Sequence, residues 1–253
     1  MLEEYPIPVL KNAPITEAVI DIRVKLPSST DVKSIDLLFD RIKNQYPVRL
    51  EHRVSEFSLE LKPNEDPIKA SKSRVNGYRY ISADKKQIVQ ARLDGFSVSR
   101  LHPYSEWKDL RDETKRLWQF YKEIAKPDAI IRVALRYINN LNMPFPKNDF
   151  DEYLTAPPLV PKELPQGVSS FLTRVVLTEP SLGVNAIITQ ALELVPPIAK
   201  INRLPVILDI DVFKQDPKGM EEIDVWNTIE QLRHFKNKIF DKSITPKLKE
   251  TYA

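Results

Sequence analysis

The chain has 253 residues, 42% hydrophobic and 29% charged, a balance that excludes a disordered, collagen-like or coiled-coil protein. It contains no cysteine, which removes disulfide frameworks, cysteine-ligated zinc, iron–sulfur clusters and thiol chemistry together. The 38 Lys+Arg against 35 Asp+Glu leave a net charge of +3, too small to point to nucleic acid or a membrane surface by itself.

Residues 1–6 lack a basic region followed by an apolar core, so no secretory signal is expected. No apolar run approaches the roughly 18 residues of a membrane span. A cytoplasmic protein is the expectation. Pro6, Pro8 and Pro14 mark an opening arm, since proline donates no backbone hydrogen bond. Residues 19–26 then alternate: Ile20, Ile22, Val24 and Leu26 face one way, Asp21, Arg23 and Lys25 the other. Period two predicts a strand with one buried face. Residues 28–31 supply a helix cap, and Val32, Ile35, Leu38, Phe39 and Ile42 follow at helical spacing.

Strands are predicted next at 54–61, where Phe57, Leu59 and Leu61 share a face, and at 78–82, 87–93 and 96–101. Residues 62–76 read as a polar loop. Asp94-Gly95 between two alternating runs predicts a hairpin with a type I′ turn, which needs positive φ. A long helix is predicted over 104–126, with Trp107, Leu110, Leu117, Trp118, Tyr121 and Ile124 as its apolar stripe and Pro127 as its stop. The order then restarts. A strand at 130–141 and a short helix near 149–154 precede strands at 171–177, 186–194 and 206–213. The last long helix spans 223–240, with Trp226, Ile229, Leu232 and Ile239 as its apolar residues, and the tail adds a further turn.

The expected fold is α+β. Two pseudo-repeated units, 1–127 and 128–253, each run strand, helix, strands, long helix, with an antiparallel sheet covered by a helix on one face. One continuous sheet shared by both halves is the alternative. Strands with one polar face suit a sheet covered on a single side and argue against a doubly wound parallel core. The order of elements is similar to TATA-binding-protein-like and helix-grip folds.

Several chemistries are disfavoured. The five glycines, Gly77, Gly95, Gly167, Gly183 and Gly219, are well separated, so no phosphate-cradling loop and no nucleophile elbow is present. His52, His102 and His234 lack metal-ligand spacing. His102 stands out by its place between a strand end and a helix start, where functional side chains often project. Asp209 and Asp211 point to one face of a strand, an arrangement that hard cations accept. The competing reading pairs them across the sheet with Arg132 and Arg136. The polar strand faces carry Arg23, Arg79, Arg92, Arg100, Arg132, Arg136 and Arg174, and the planar guanidinium suits carboxylate and phosphate ligands. Asn139 and Asn140 end a strand immediately after Arg136 and Tyr137.

Three stretches carry a resemblance. They are residues 12–23 (NAPITEAVIDIR), residues 101–107 (LHPYSEW) and residues 135–140 (LRYINN). Together they resemble a sporadically distributed bacterial family of uncharacterised proteins of closely similar length. The resemblance implies bacterial origin, patchy occurrence and a cytoplasmic location. It brings no catalytic residues.

With no dense polar constellation in the sequence, the expected function is non-enzymatic: a binding or interaction protein for a protein partner or a small acidic ligand. The candidate ligand-binding residues are Arg23, Arg100, His102, Tyr104, Arg136, Tyr137 and Asn139. A nucleic-acid-binding sheet saddle and a metal-assisted enzyme using Asp209 and Asp211 are the alternatives. No cofactor and no membrane partner are expected, and a homo-oligomer is compatible with the sequence.

Overall fold

A computed structural model describes residues 10–60, 68–144, 150–193 and 203–253. The first half holds β1 (Ile15–Lys25), α1 (Val32–Ile42), β2 (Val48–Glu60), β3 (Ile68–Ile81), β4 (Gln87–Arg92), β5 (Gly95–Leu101) and α2 (Trp107–Ala125). The second holds β6 (Ala129–Asn140), β7 (Met143–Pro144), a 3-10 turn (Phe150–Glu152), β8 (Ser170–Glu179), β9 (Val184–Glu193), β10 (Arg203–Leu204), β11 (Ile207–Met220), α3 (Glu222–Ser243) and α4 (Pro246–Glu250).

Nine strands form one continuous antiparallel sheet in the order β2-β3-β4-β5-β1-β6-β11-β9-β8, and β7 pairs with β10 in a small ribbon. The fold class is α+β. Of the two arrangements the alternation permits, the shared sheet is the one formed. Its seam is the β1–β6 pair, in register from Ile15↔Asn139 to Lys25↔Ala129.

Period-two alternation decides what covers the sheet. Register places Tyr80, Val89, Val98, Ile20, Leu135, Val212 and Ala186 in one row across seven strands. All are buried. The three long helices lie over this face. Phe39 of α1 stacks on Tyr80, and Trp118 and Tyr121 of α2 pack on Phe96. α3 crosses β6 and β11. Aromatic side chains of this size bury roughly 150–250 Å² each, which is why the helices dock there. Among the described residues no helix covers the other face of the central strands, which carries the polar residues.

Local signals set the ends of elements. Asp31 Oδ1 accepts the Ser34 backbone N–H at 2.8 Å and caps α1. Lys126 adopts a left-handed conformation after α2, and Pro127 prevents continuation. Three expectations are corrected. Residues 68–76 are strand, because β2 and β3 form a long hairpin whose ladder satisfies a polar backbone. The β4–β5 turn is Leu93-Asp94, neither residue with positive φ, and Gly95 already pairs with Arg92. Gly95, at φ +158°, opens β5 and is also needed for close approach: a Cβ there would lie 2.6 Å from the Ile22 carbonyl oxygen. The strand predicted at 206–213 runs on to Met220 through an irregularity after Gln215. The proline arm before residue 10, the first residue of the predicted short helix, and the side chains of the Phe57, Leu59 and Leu61 face lie outside the described residues. Among the described residues no helix is long and apolar enough to cross a membrane.

Candidate functional site

The uncovered face of the central strands holds a hollow of about 510 Å³. Four arginines and four aspartates meet there. Asp21 accepts from Arg92 at 2.7 Å, Arg23 at 3.0 Å and Arg132 at 3.5 Å. Arg132 reaches Asp211 at 3.1 Å. Arg136 grips Asp209 with two parallel bonds of 2.9 and 2.6 Å. Arg23 and Arg92 also bind Asp94. Asp209 and Asp211 are therefore engaged by Arg136 and Arg132, the cross-strand pairing that competed with the metal reading. Burial pushes the Asp94 carboxyl up, but Arg23 and Arg92 outweigh it and hold it below the usual range. Asp211 goes the other way: burial raises it, and Arg132 and Arg136 offset only part. With Glu17 also in the lining, the acidic groups offset all four arginines, so no positive field is left over for an acidic ligand.

A larger cavity, about 830 Å³, opens on the helix-covered side. It lies between the residues before β1, the turn after β5, the first turn of α2 and the middle of α3. His102, Tyr104 and Tyr137 line it. The Tyr104 and Tyr137 hydroxyls are hydrogen-bonded at 2.8 Å, and their rings meet edge to face. Burial raises both phenols above their ordinary range, Tyr137 far above it. His102 is anchored by its backbone N–H, which donates to the Thr16 carbonyl at 2.9 Å.

The residue that sets this cavity apart is Lys236. Val225, Ile229, Leu232, Lys236 and Ile239 form the buried stripe of α3, so helical spacing drives a lysine into an apolar seam. Lys236 is 8% exposed. Its Nζ lies 3.8 Å from the centre of the Tyr137 ring, and its ammonium forms no ion pair and no hydrogen bond with any described residue. Burial, then the nearby Arg233 cation, push it down to about 7. The surroundings add positive charge. Lys11, Lys108, Arg111, Arg233 and Lys236 line the cavity, against Glu106 as the one acidic lining residue. Glu230 braces the wall from behind: it accepts from the Trp107 indole at 3.0 Å and pairs with Arg111 at 3.3 Å and Arg233 at 3.6 Å. Glu106 occupies the N-cap of α2 but makes no side-chain capping bond, so the positive end of the helix dipole faces the same space.

A third cavity, about 390 Å³, lies between β8, β9 and α3 and is walled by Val175, Leu177, Ile188, Phe235 and Ile239. Its lining also includes Thr173, Gln190 and Lys238.

The sequence-derived candidates therefore separate. His102, Tyr104 and Tyr137 come together in the basic cavity. Arg23 and Arg136 sit on the opposite face of the sheet, each paired with aspartate. Period two places Arg100 on the face of Phe96 and Val98, away from the linings of all three cavities. Asn139 is buried and donates to the Leu208 carbonyl at 2.9 Å, bracing β6 against β11. Sequence reasoning missed Lys236 and Arg233. The signal was available for Lys236, a lysine in phase with the apolar stripe of the last helix. Among the described residues no group of three or more histidines and carboxylates gathers as metal ligands would. Compared with known proteins, the chain matches no family model and no curated sequence.

Proposed function

We propose that the protein is a binding protein for a small acidic ligand, held in the cavity of Tyr104, Tyr137, Arg233 and Lys236. The observation that carries this reading is the Lys236 ammonium, buried against the Tyr137 ring with no ion-pair or hydrogen-bond partner among the described residues, in a cavity lined by further cations. A buried charge without a partner is costly, and an anion that supplies the missing partner recovers that cost on binding. The tyrosine hydroxyl pair fixes ligand orientation, and Trp107 supplies an apolar wall.

The test is calorimetric titration with lactate. Saturable binding is expected, weakened at least tenfold in Lys236→Met and unchanged in Arg136→Ala. Equal binding by wild type and Lys236→Met, or none by wild type, contradicts the proposal. The same reading takes the fold as two pseudo-repeated units, 1–127 and 128–253, related across the β1–β6 seam as in TATA-binding-protein-like sheets. In support, β5 flanks β1 as β11 flanks β6, and β4 and β9 follow at equivalent places. It places the protein in a bacterial cytoplasm, on the sequence resemblance alone.

A further inference from the structure

We propose that Lys236 forms an imine with the carbonyl carbon of its ligand, so that the cavity takes acids bearing a ketone or aldehyde, with 2-oxo acids as the class. This rests on the binding reading above and goes a step beyond it. The geometry supports it in three ways. Lys236 lines the cavity, and its Nζ donates to no described carboxylate or carbonyl that would hold it as an ammonium. The ring of Tyr137 lies 3.8 Å from the same amine, and its hydroxyl, bonded to that of Tyr104 at 2.8 Å, is a proton donor lining the same cavity. Arg233, one turn back on α3, lines the same space and can hold the carboxylate of an acid whose carbonyl meets the amine.

The chemistry balances without an external oxidant or reductant. The nitrogen lone pair adds to the carbonyl carbon, forming the C–N bond and a carbinolamine. The carbon–oxygen bond then breaks, and the oxygen leaves as water with both amine hydrogens. A phenol of the tyrosine pair protonates the departing oxygen and recovers its proton from the nitrogen. The amine must be uncharged to attack. Burial and Arg233 provide this: at pH 7 an amine titrating at about 7 has about a thousandfold more neutral form than an ordinary lysine. The groups facing Lys236 are Tyr137 on β6, Tyr104 and His102 from the turn after β5, Arg111 on α2, Lys11 ahead of β1 and Arg233. Glu106 and Lys108, from the start of α2, line the same cavity; Glu106 is its one carboxylate, and it forms no ion pair with Lys236 that would restore the charge.

The experiment is reductive trapping with pyruvate and cyanoborohydride at pH 7 on the full chain, read by intact mass and peptide mapping. One carboxyethyl group per chain is expected, on the peptide containing Lys236. Excess lactate, which carries the acid but no carbonyl, should suppress it. Lys236→Met, with its fold checked by circular dichroism, should lose that label. Labelling spread over surface lysines with Lys236 unmodified overturns the proposal. If lactate binds the wild type but pyruvate is not trapped, the imine is refuted and the binding reading stands. If lactate does not bind and no label forms, both fall.

Discussion

Lys236 titrates within a folded protein far below its range in an unfolded chain. Between about pH 7 and 10 the unfolded state therefore binds the extra proton, and stability rises with pH, by on the order of 4 kcal/mol across that window. Above pH 10 the buried tyrosines act in the opposite direction, because their raised folded values make the native state the better proton binder. Urea unfolding as a function of pH should show this rise in the wild type and a flat profile in Lys236→Met. A rise that survives the substitution would assign it to another group. The arginines of the uncovered face form a second contrast at this scale. The Arg92 side chain is 5% exposed and binds Asp21 at 16%, whereas Arg136 is 48% exposed. Removing Arg92 takes the closest cation from a part-buried aspartate that keeps Arg23 and Arg132, so Arg92→Ala should cost about 1–3 kcal/mol. Arg136→Ala breaks a solvent-screened pair and should cost about 1 kcal/mol or less. Equal losses in denaturant titrations would contradict this account of the hollow.

Among the elements, β3 and β4 meet most closely at Gly77. A Cβ at Gly77 would lie 2.1 Å from the Ala91 carbonyl oxygen, a backbone atom that cannot turn aside. Gly77 also sits opposite the irregularity in β2 between His52 and Arg53. Gly77→Ala should therefore destabilise by about 1–3 kcal/mol or more, with hydrogen exchange quickened in β3 and β4 first. Unchanged stability would mean that the strands part without cost. What the sequence disclosed follows the same physics. Alternation in β1 and the stripe of α2 were legible, because burial on one face leaves a period in the residues themselves. The polar part of β3 was not: its strand identity comes from pairing with β2, and pairing leaves no period in a polar segment. The turn was misplaced because a glycine that opens a strand against Ile22 looks the same in the sequence as one inside a type I′ turn. At the site, His102 was found from its place between a strand end and a helix start and Tyr137 from its place on a strand face, while Lys236 was passed over in a stripe read for apolar residues only.

At the scale of the molecule, β1 is the shared member. It pairs with β5 on one side, from Glu17↔Leu101 to Arg23↔Gly95, and with β6 on the other along its whole length. Its buried face lies beneath the same helix layer as both neighbours. Neither half can lose its strands without exposing β1, so thermal unfolding should be a single transition, coincident by tryptophan fluorescence and circular dichroism. Two separated transitions would show that the halves hold together independently. The basic cavity depends on the same union, since its walls come from both sides of the seam: Tyr104 and Trp107 from the first half, Tyr137 and Lys236 from the second. The most direct test is NMR titration of the Lys236 side chain in the wild-type protein, alone and with lactate. Lys236 should titrate near 7 when free and move upward when the acid binds, because the carboxylate stabilises the ammonium. A lysine that titrates in the ordinary range and ignores the acid would contradict the account.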